Sequence, residues 1–335
     1  MLKNSKRYQE TLEKGIDWMK AQMNADGSVN PLDKGAIAYY KIPWAFVLAG
    51  KFLEAKKMID WIVRETIAPD GDLKSEKRQK FHLDYYTYPN DWICLASHLL
   101  SLFDISYSTW NYISSHQDPI TGGYCSRAPY DKGKDNLEDL ISTAWTSNVG
   151  LHLGKIKEAK KAANFLKMML EIQPDFEHNL YYYWYPQRGL VTERPAEEPE
   201  DKFFRINTEE PDNFYYILGA TISFLAKLYL VTKDKEHLSL ARTYFDFVSR
   251  GRGMENLLQT ESAGKMCYAS THLYYATGEE RYLETAERCM DHLIETWHAD
   301  GYYIREGKPT ASSTAEFCVW IVNLLAVGNS ERILC

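Results

Sequence analysis

TEEPDNFYYILGATISFLAKLYL, residues 208–230, decides how this chain is read. It opens on Glu209, Glu210, Asp212 and Asn213, then runs apolar and meets no charge until Lys227. A helix apolar on every side has to be buried on every side. Five other stretches are weaker copies: YYKIPWAFVLAG from Tyr39, NDWICLASHLLSLF from Asn90, EDLISTAWTSNVGLHLG from Glu138, SAGKMCYASTHLYYATG from Ser262 and STAEFCVWIVNLLAVG from Ser313.

Each apolar stretch is preceded by an amphipathic one. From Lys6 to Met23, Leu12, Ile16, Met19 and Met23 fall at helical spacing with charges between them. FLEAKKMIDWIVRETI from Phe52, STWNYISSHQ from Ser108, IKEAKKAANFLKMMLEI from Ile156, KEHLSLARTYFDFVSR from Lys235 and RYLETAERCMDHLIETW from Arg281 continue the series. Gly-containing turns such as Asp26-Gly27, Asp70-Gly71, Gly122-Gly123 and Asp300-Gly301 punctuate it. The period is roughly fifty residues, which marks an array or a ring. Outer helices of a ring keep one wet face and inner helices have almost none. The expected fold is therefore all-α, an (α/α)6 toroid of six helical hairpins formed as one domain over residues 1–335. An open superhelix would need a polar cap at each end, and the last helix is too apolar for that. One insertion departs from the pattern: alternating aromatics around Gln187-Arg188-Gly189 predict a β-hairpin near residues 178–194.

Composition narrows the function classes. A formal charge of −7 gives no phosphate-tracking surface, so nucleic acid is not an expected partner. No apolar run approaches the length of a membrane span. The N-terminal residues MLKNSKRYQETLEKG lack an apolar signal segment, and a cytoplasmic location is expected. Six cysteines occur with no CxxC pair, so neither a zinc ribbon nor a redox motif is visible. No metal or cofactor is expected. With 24 Tyr and 9 Trp, an aromatic-lined pocket for a small molecule is.

Three resemblances follow from short motifs. Lys14-Gly15, Trp18-Met19, Gln22 and Gly27, and again Tyr112-Ile113, Gln117, Gly122 and Tyr124, resemble the QW-type repeat of squalene-cyclase and prenyltransferase toroids. Val29 stands where that repeat has an aromatic, and neither the acidic DxDD motif nor the prenyltransferase zinc set is found. LYYATGEERYLETAERC and LYLVTKDKEHLSLARTY look like the hairpin junctions of sugar-processing α/α toroids, among them unsaturated uronyl hydrolases and sugar epimerases. Glu210-Pro211-Asp212-Asn213, followed by aromatics, resembles a segment of linalool dehydratase-isomerase. That family's flanking cysteines are replaced by Glu209 and Leu218.

In such a ring, the loops entering the inner helices converge on one rim. Its carboxylates and its one histidine give the candidate catalytic residues Asp212, Glu210, Glu316, Asp139, His82 and Asp84. Tyr40, Trp44, Tyr85, Asp91, Trp145, Asn213, Tyr215, Tyr216 and Cys267 are the candidate substrate-binding residues. A buried carboxyl gains a raised pKa and becomes a proton donor. His82 beside Asp84 has the makings of a general base. Asp91, Asp139 and Asp212 also stand where a side chain would cap a helix. Cys267 has no adjacent base and suits packing. The expected function is acid–base catalysis by a cyclase, isomerase or dehydratase on an apolar, isoprenoid- or polyketide-like molecule. The alternatives are a carbohydrate enzyme (uronyl hydrolase, glycosidase or epimerase) and a non-catalytic binding scaffold.

Overall fold

The computed structural model describes residues 2–30, 39–74, 84–196, 198 and 200–329. His82 and most of the basic run around Arg78 lie outside the described residues.

Contacts divide the chain into two compact units. The first comprises Met1–Leu83, Tyr88–Ile113 and Met290–Cys335; the second comprises Asp84–Thr87 and Ser114–Cys289. The first unit carries α1 (Ser5–Ala21), α2 (Ile42–Leu48), α3 (Phe52–Thr66), α4 (Tyr88–Leu99), nearly all of α5 (Phe103–Ser114) and, from the far end of the sequence, α13 (Ala311–Leu325). Here α1 packs on α13, and α2 packs on α13, α3 and α4. The core of this unit is a tryptophan cluster. Trp92 of α4 lies edge-on to Trp44 of α2 at 4.8 Å, and Trp320 of α13 lies 6.1 Å from both. Each such pair adds about 0.5–1.5 kcal/mol beyond the area buried.

The second unit carries α6 (Leu140–His152), α7 (Ile156–Glu171), α8 (Tyr216–Thr232), α9 (Lys235–Val248), α10 (Gly253–Leu258) and α11 (Ser262–Thr277). Helix α12 (Glu280–Glu295) begins in it and ends in the first. As its composition requires, α8 is buried on all faces from Ile217 to Ala226. It packs on α6, α9 and α11. Its acidic prelude is not part of the helix. Tyr215 is the N-cap, and Glu209, Glu210 and Asp212 sit in the preceding turn. Asp212 therefore caps nothing: a β-hairpin and a short 3-10 turn (Asp201–Phe203) fill the space leading into α8, and the chain turns again before entering it.

One module recurs after the outer helices. In the first unit, α1 and α3 are each followed by a tight turn closed by a single β-bridge, Met23 to Val29 and Ile67 to Leu73. The Trp297–Tyr303 bridge after α12 repeats it. The glycine in each turn has φ between +91° and +94°. A Cβ on Gly27 would lie 2.2 Å from the Lys57 carbonyl oxygen, and one on Gly301 would lie 2.5 Å from that of Lys14. Only glycine combines that φ with that approach. The second unit repeats the turn at Gly122, against the backbone of Lys161. There the Gln117 side chain donates to the carbonyls of Gly122 and Glu158, each at 3.0 Å. The Gln and Gly spacing that resembles a QW repeat is thus a helix-stapling turn, a device of architecture.

The expected hairpin forms, with a different partner for its first segment. Strand β3 (Tyr183–Tyr185) pairs with β4 (Gly189–Leu190), and β2 (Asn179–Tyr181) pairs with β5 (Arg205–Asn207). Strand β3 also pairs with β1 (Glu138–Asp139), setting Asp139 opposite Tyr183. Strands β6 (Tyr303–Arg305) and β7 (Lys308–Thr310) make a further hairpin ahead of α13.

Candidate functional site

In the second unit the site is built around the entry to α6. Cys125 bridges to Glu138, the Ser126 N–H donates to the Leu137 carbonyl, and the Tyr86 N–H donates to the Ser126 carbonyl at 2.9 Å. These bonds gather residues 84–86, 125–127 and 138–139 into one place. Successive strand residues face opposite ways, so the two consecutive carboxylates part company.

Glu138 turns toward α7. Its Oε2 accepts from the Thr121 hydroxyl at 2.6 Å, and a Cβ on Gly123 would strike that same oxygen. It is fully buried, and Oε1 has no hydrogen-bond partner. Burial pushes its carboxyl up to about 8, with the charges of Asp118 and Asp139 adding to the effect.

Asp139 faces the aromatic side. Its Oδ1 accepts from the Ser142 N–H at 2.6 Å, so it is the N-cap of α6. It is wholly buried, and burial pushes its carboxyl up to about 6. The hydrogen bonds from Ser126 and Ser142 and the charge of Arg127 pull the other way and lose. Capping and an elevated pKa therefore coexist in one residue.

Arg127 and the phenols complete this cluster. The Arg127 guanidinium lies 3.3 Å from the Asp84 carboxylate and donates to Glu198 Oε1 at 2.9 Å. The Tyr85 and Tyr216 hydroxyls are 2.9 Å apart. Burial and the neighbouring charges of Tyr216, Tyr182, Tyr183 and Asp139 hold the Tyr85 phenol well above its ordinary range. The Lys265 ammonium lies 5.6 Å from the ring centres of both Trp145 and Tyr216. It is carried there by a close helix crossing: a Cβ on Gly219 of α8 would sit 2.6 Å from the Lys265 carbonyl carbon on α11. Asp84, Tyr85, Arg127 and Tyr216 are partly open, while Asp139, Trp145, Tyr183 and Lys265 lie beneath them.

The first unit has its own buried polar centre. Lys41, just ahead of α2, forms an ion pair with Glu316 of α13. Its ammonium lies 5.2–5.6 Å from the rings of Tyr40, Tyr88 and Trp92. Asp91 is buried within the first turn of α4, and Trp44 belongs to the tryptophan core. Glu316 is thus held by a lysine 275 residues away in sequence, rather than standing as an isolated acid. In the same unit a recess of about 560 Å³, lined by Leu12, Ile16, Leu48 and Val322, lies apart from these charges. Glu13, Asp17 and Lys51 line it too, and none of them is buried.

The remaining sequence candidates separate by geometry. Asp212 has 76% of its side chain exposed and is tied to Lys202 at 2.5 Å; Glu210 pairs with Arg205 at 3.1 Å. Both are surface ion pairs. Asn213 and Tyr215 clamp the turn before α8: the Asn213 amide donates to the Glu210 carbonyl at 3.1 Å, and the Tyr215 hydroxyl donates to it at 2.8 Å. Cys267 is buried inside α11. Arg127 and Glu198 were not read from the sequence. Both lie in irregular segments, and nothing in their neighbours' periodicity aims them anywhere.

Among the described residues, no group of three or more His, Cys, Asp or Glu side chains is placed to hold a metal ion. No helix among them is long and apolar enough to cross a membrane.

The fold is that of the α/α toroids. Residues 159–305 match the model of the β-L-arabinofuranosidase GH127 catalytic domain. No curated protein sequence matches the chain. Among solved structures, a D-mannose isomerase is similar at 12% identity and TM-score 0.67, covering 96% of this chain and 98% of its own. An unsaturated glucuronyl hydrolase specific for heparin gives 10% and 0.63, covering 96% and 98%. An inactive α-1,6-mannanase of a Salegentibacter species, with two consecutive aspartates replaced and α-1,6-mannotetraose bound, gives 11% and 0.62, covering 95% and 99%. These findings side with the resemblance to sugar-processing toroids and give none to the squalene-cyclase repeats.

Proposed function

We propose that this chain is a carbohydrate-active enzyme that cleaves a glycosidic bond by acid–base catalysis, with Asp139 as the proton donor. The observation that carries the reading is a buried carboxyl held at about 6, set among phenols and a guanidinium at the head of α6. A group with that pKa is largely protonated in mildly acidic solution and ionises readily once its proton is given up, as a general acid must. Asp84, partly exposed and ion-paired with Arg127, is the second carboxylate, acting as base or nucleophile. Tyr85 and Tyr216 offer faces for a sugar ring, and Arg127 and Lys265 offer donors for its hydroxyl or carboxylate groups. The arabinofuranosidase match and the sugar-handling neighbours support this reading. The two consecutive aspartates of the inactive mannanase have a counterpart in type, Glu138 followed by Asp139.

The isoprenoid reading gives way on electrostatics. A carbocation is stabilised over a free aromatic face. Here Lys265 shares the faces of Trp145 and Tyr216, and Lys41 those of Tyr40, Tyr88 and Trp92. Those resident cations would repel it.

The test is a panel of β-L-arabinofuranosides, α-1,6-manno-oligosaccharides, unsaturated glucuronides and free mannose, assayed for released or isomerised sugar. Asp139→Asn is the matching variant, because Asn caps a helix as well as Asp does. Turnover of one glycoside, with kcat reduced about 10²–10⁴-fold in the variant and an unchanged helical spectrum, is expected. An unimpaired Asp139→Asn would remove Asp139 from the mechanism. Isomerisation without hydrolysis would overturn the reaction, and no turnover of any sugar would overturn the class.

A further inference from the structure

A second polar cluster lies in the lower halves of α6, α8 and α11 and takes no part in the site just described. Lys227 of α8 has its Nζ 2.5 Å from the Tyr268 hydroxyl and 3.1 Å from His152 Nε2. His272, one turn beyond Tyr268 on α11, has its Nδ1 2.8 Å from the Tyr268 carbonyl. No carboxylate accompanies Lys227 among the described residues, and burial alone lowers its ammonium to about 7. Burial and the charge of Lys227 also keep His272 neutral. Beside the Tyr268 phenol lies the Asn148 amide, fully buried and within hydrogen-bonding reach of the phenol oxygen. Lys227 and His152 as whole residues are only partly covered.

A buried lysine usually keeps a carboxylate. One held instead by a phenol and an imidazole can be a neutral amine, with two N–H groups and a lone pair. One amine N–H donates to the Tyr268 oxygen and the other to His152, which leaves the lone pair uncommitted, and the phenol, which burial keeps protonated, retains its own proton to give. Such an amine is a nucleophile toward carbonyl carbon. The Asn148 amide, next to that phenol, offers a donor to a carbonyl oxygen.

We propose that Lys227 is a reactive amine that captures a small aldehyde as an imine, with Tyr268 as the proton donor and Asn148 as the carbonyl's hydrogen-bond partner. The amine lone pair forms the N–C bond as the carbonyl π bond breaks onto oxygen. Tyr268 protonates that oxygen, and an N–H proton passes to His152 and back to the phenolate, giving a carbinolamine. Expulsion of the hydroxyl as water, with loss of the second N–H proton, leaves the C=N bond. No oxidant or reductant enters, and the adduct hydrolyses by the reverse path.

Glycolaldehyde with sodium cyanoborohydride at pH 7.5, read by peptide mass spectrometry, tests this. The hydride reduces the imine and fixes a hydroxyethyl group on the lysine. Lys227 should label at least tenfold faster than the median lysine of the chain, with a rate that rises to half its maximum near pH 7. Tyr268→Phe should slow Lys227 at least tenfold while leaving the other lysines and the helical spectrum unchanged. Labelling of Lys227 no faster than that of surface lysines would overturn the proposal. An undiminished rate in a folded Tyr268→Phe would overturn the role of the phenol. Should Tyr268→Phe misfold, Asn148→Ala, with a fivefold or greater loss of Lys227 labelling expected and none overturning it, serves in its place.

Discussion

At the scale of single residues, two neighbouring carboxyls with the same burial have different work. Asp139 caps α6 and faces the phenols, whereas Glu138 faces α7 with an unpaired oxygen. The native fold raises both pKa values, so each binds its proton more tightly folded than unfolded. Stability from such a group is complete below the unfolded pKa and fades as pH climbs to the folded one. For Glu138 that window runs from its ordinary value up to about 8, and for Asp139 only up to about 6. The free energy of unfolding should therefore fall between pH 6 and 8 mainly through Glu138, by up to about 1.4 kcal/mol per pH unit. Glu138→Gln should flatten that slope in urea titrations at both pH values. An unaltered slope would mean that Glu138 is ionised in the native state. Arg127→Gln bears on Asp139 instead. With the cation gone, the alkaline limb of kcat/KM on the cognate glycoside should move above its wild-type position near pH 6. Movement downward would contradict the charge arrangement described.

At the scale of elements, the Lys41–Glu316 pair ties the start of α2 to α13 inside the first unit. Breaking a buried pair from one side strands a charge and costs about 3–5 kcal/mol, while replacing both partners by apolar groups is close to neutral. Lys41→Met alone is thus expected to lower stability by that amount, and Lys41→Met with Glu316→Leu to restore most of it. Equal losses in the single and double variants, measured by urea denaturation, would show that the pair's other contacts dominate. The α8–α11 crossing gives a second expectation. Gly219→Ala pushes a methyl into the Lys265 backbone, and overpacking of this kind costs about 1–3 kcal/mol. The same shift displaces Lys265 from Trp145 and Tyr216, so KM should rise even where the variant remains folded. The alternation of amphipathic and apolar helices was legible because a buried face leaves a periodic mark. The ion pair was not, because a lysine and a glutamate 275 positions apart carry no sign in the sequence of having chosen each other. Arg127 was hidden for a similar reason: backbone bridges around Ser126 and Leu137 aim it, and bridges depend on no side chain. Glu210 and Asp212 misled because their sequence stands directly before a buried helix, and the extra turn that sends them to solvent is invisible to composition.

At the scale of the whole molecule, the first unit is assembled from both ends of the sequence, with α1 packed on α13. Removing residues 311–335 should therefore unprotect α1 and α2 in hydrogen exchange while sparing α6, α8 and α11. Uniform loss of protection would mean that the units unfold as one. The recurrent Gly turns explain why the repeat could be read so clearly: each marks where one outer helix is pinned to the next. The same order of assembly has a consequence at the ribosome. The second unit is complete once Cys289 has emerged, so it can fold while synthesis continues. Helices α1 to α4 emerge first yet find α13 last, after about 200 further residues have left the exit tunnel. Throughout that interval Trp44 and Trp92 lack Trp320, and a nascent chain paused there presents its indoles to whatever chaperone meets them.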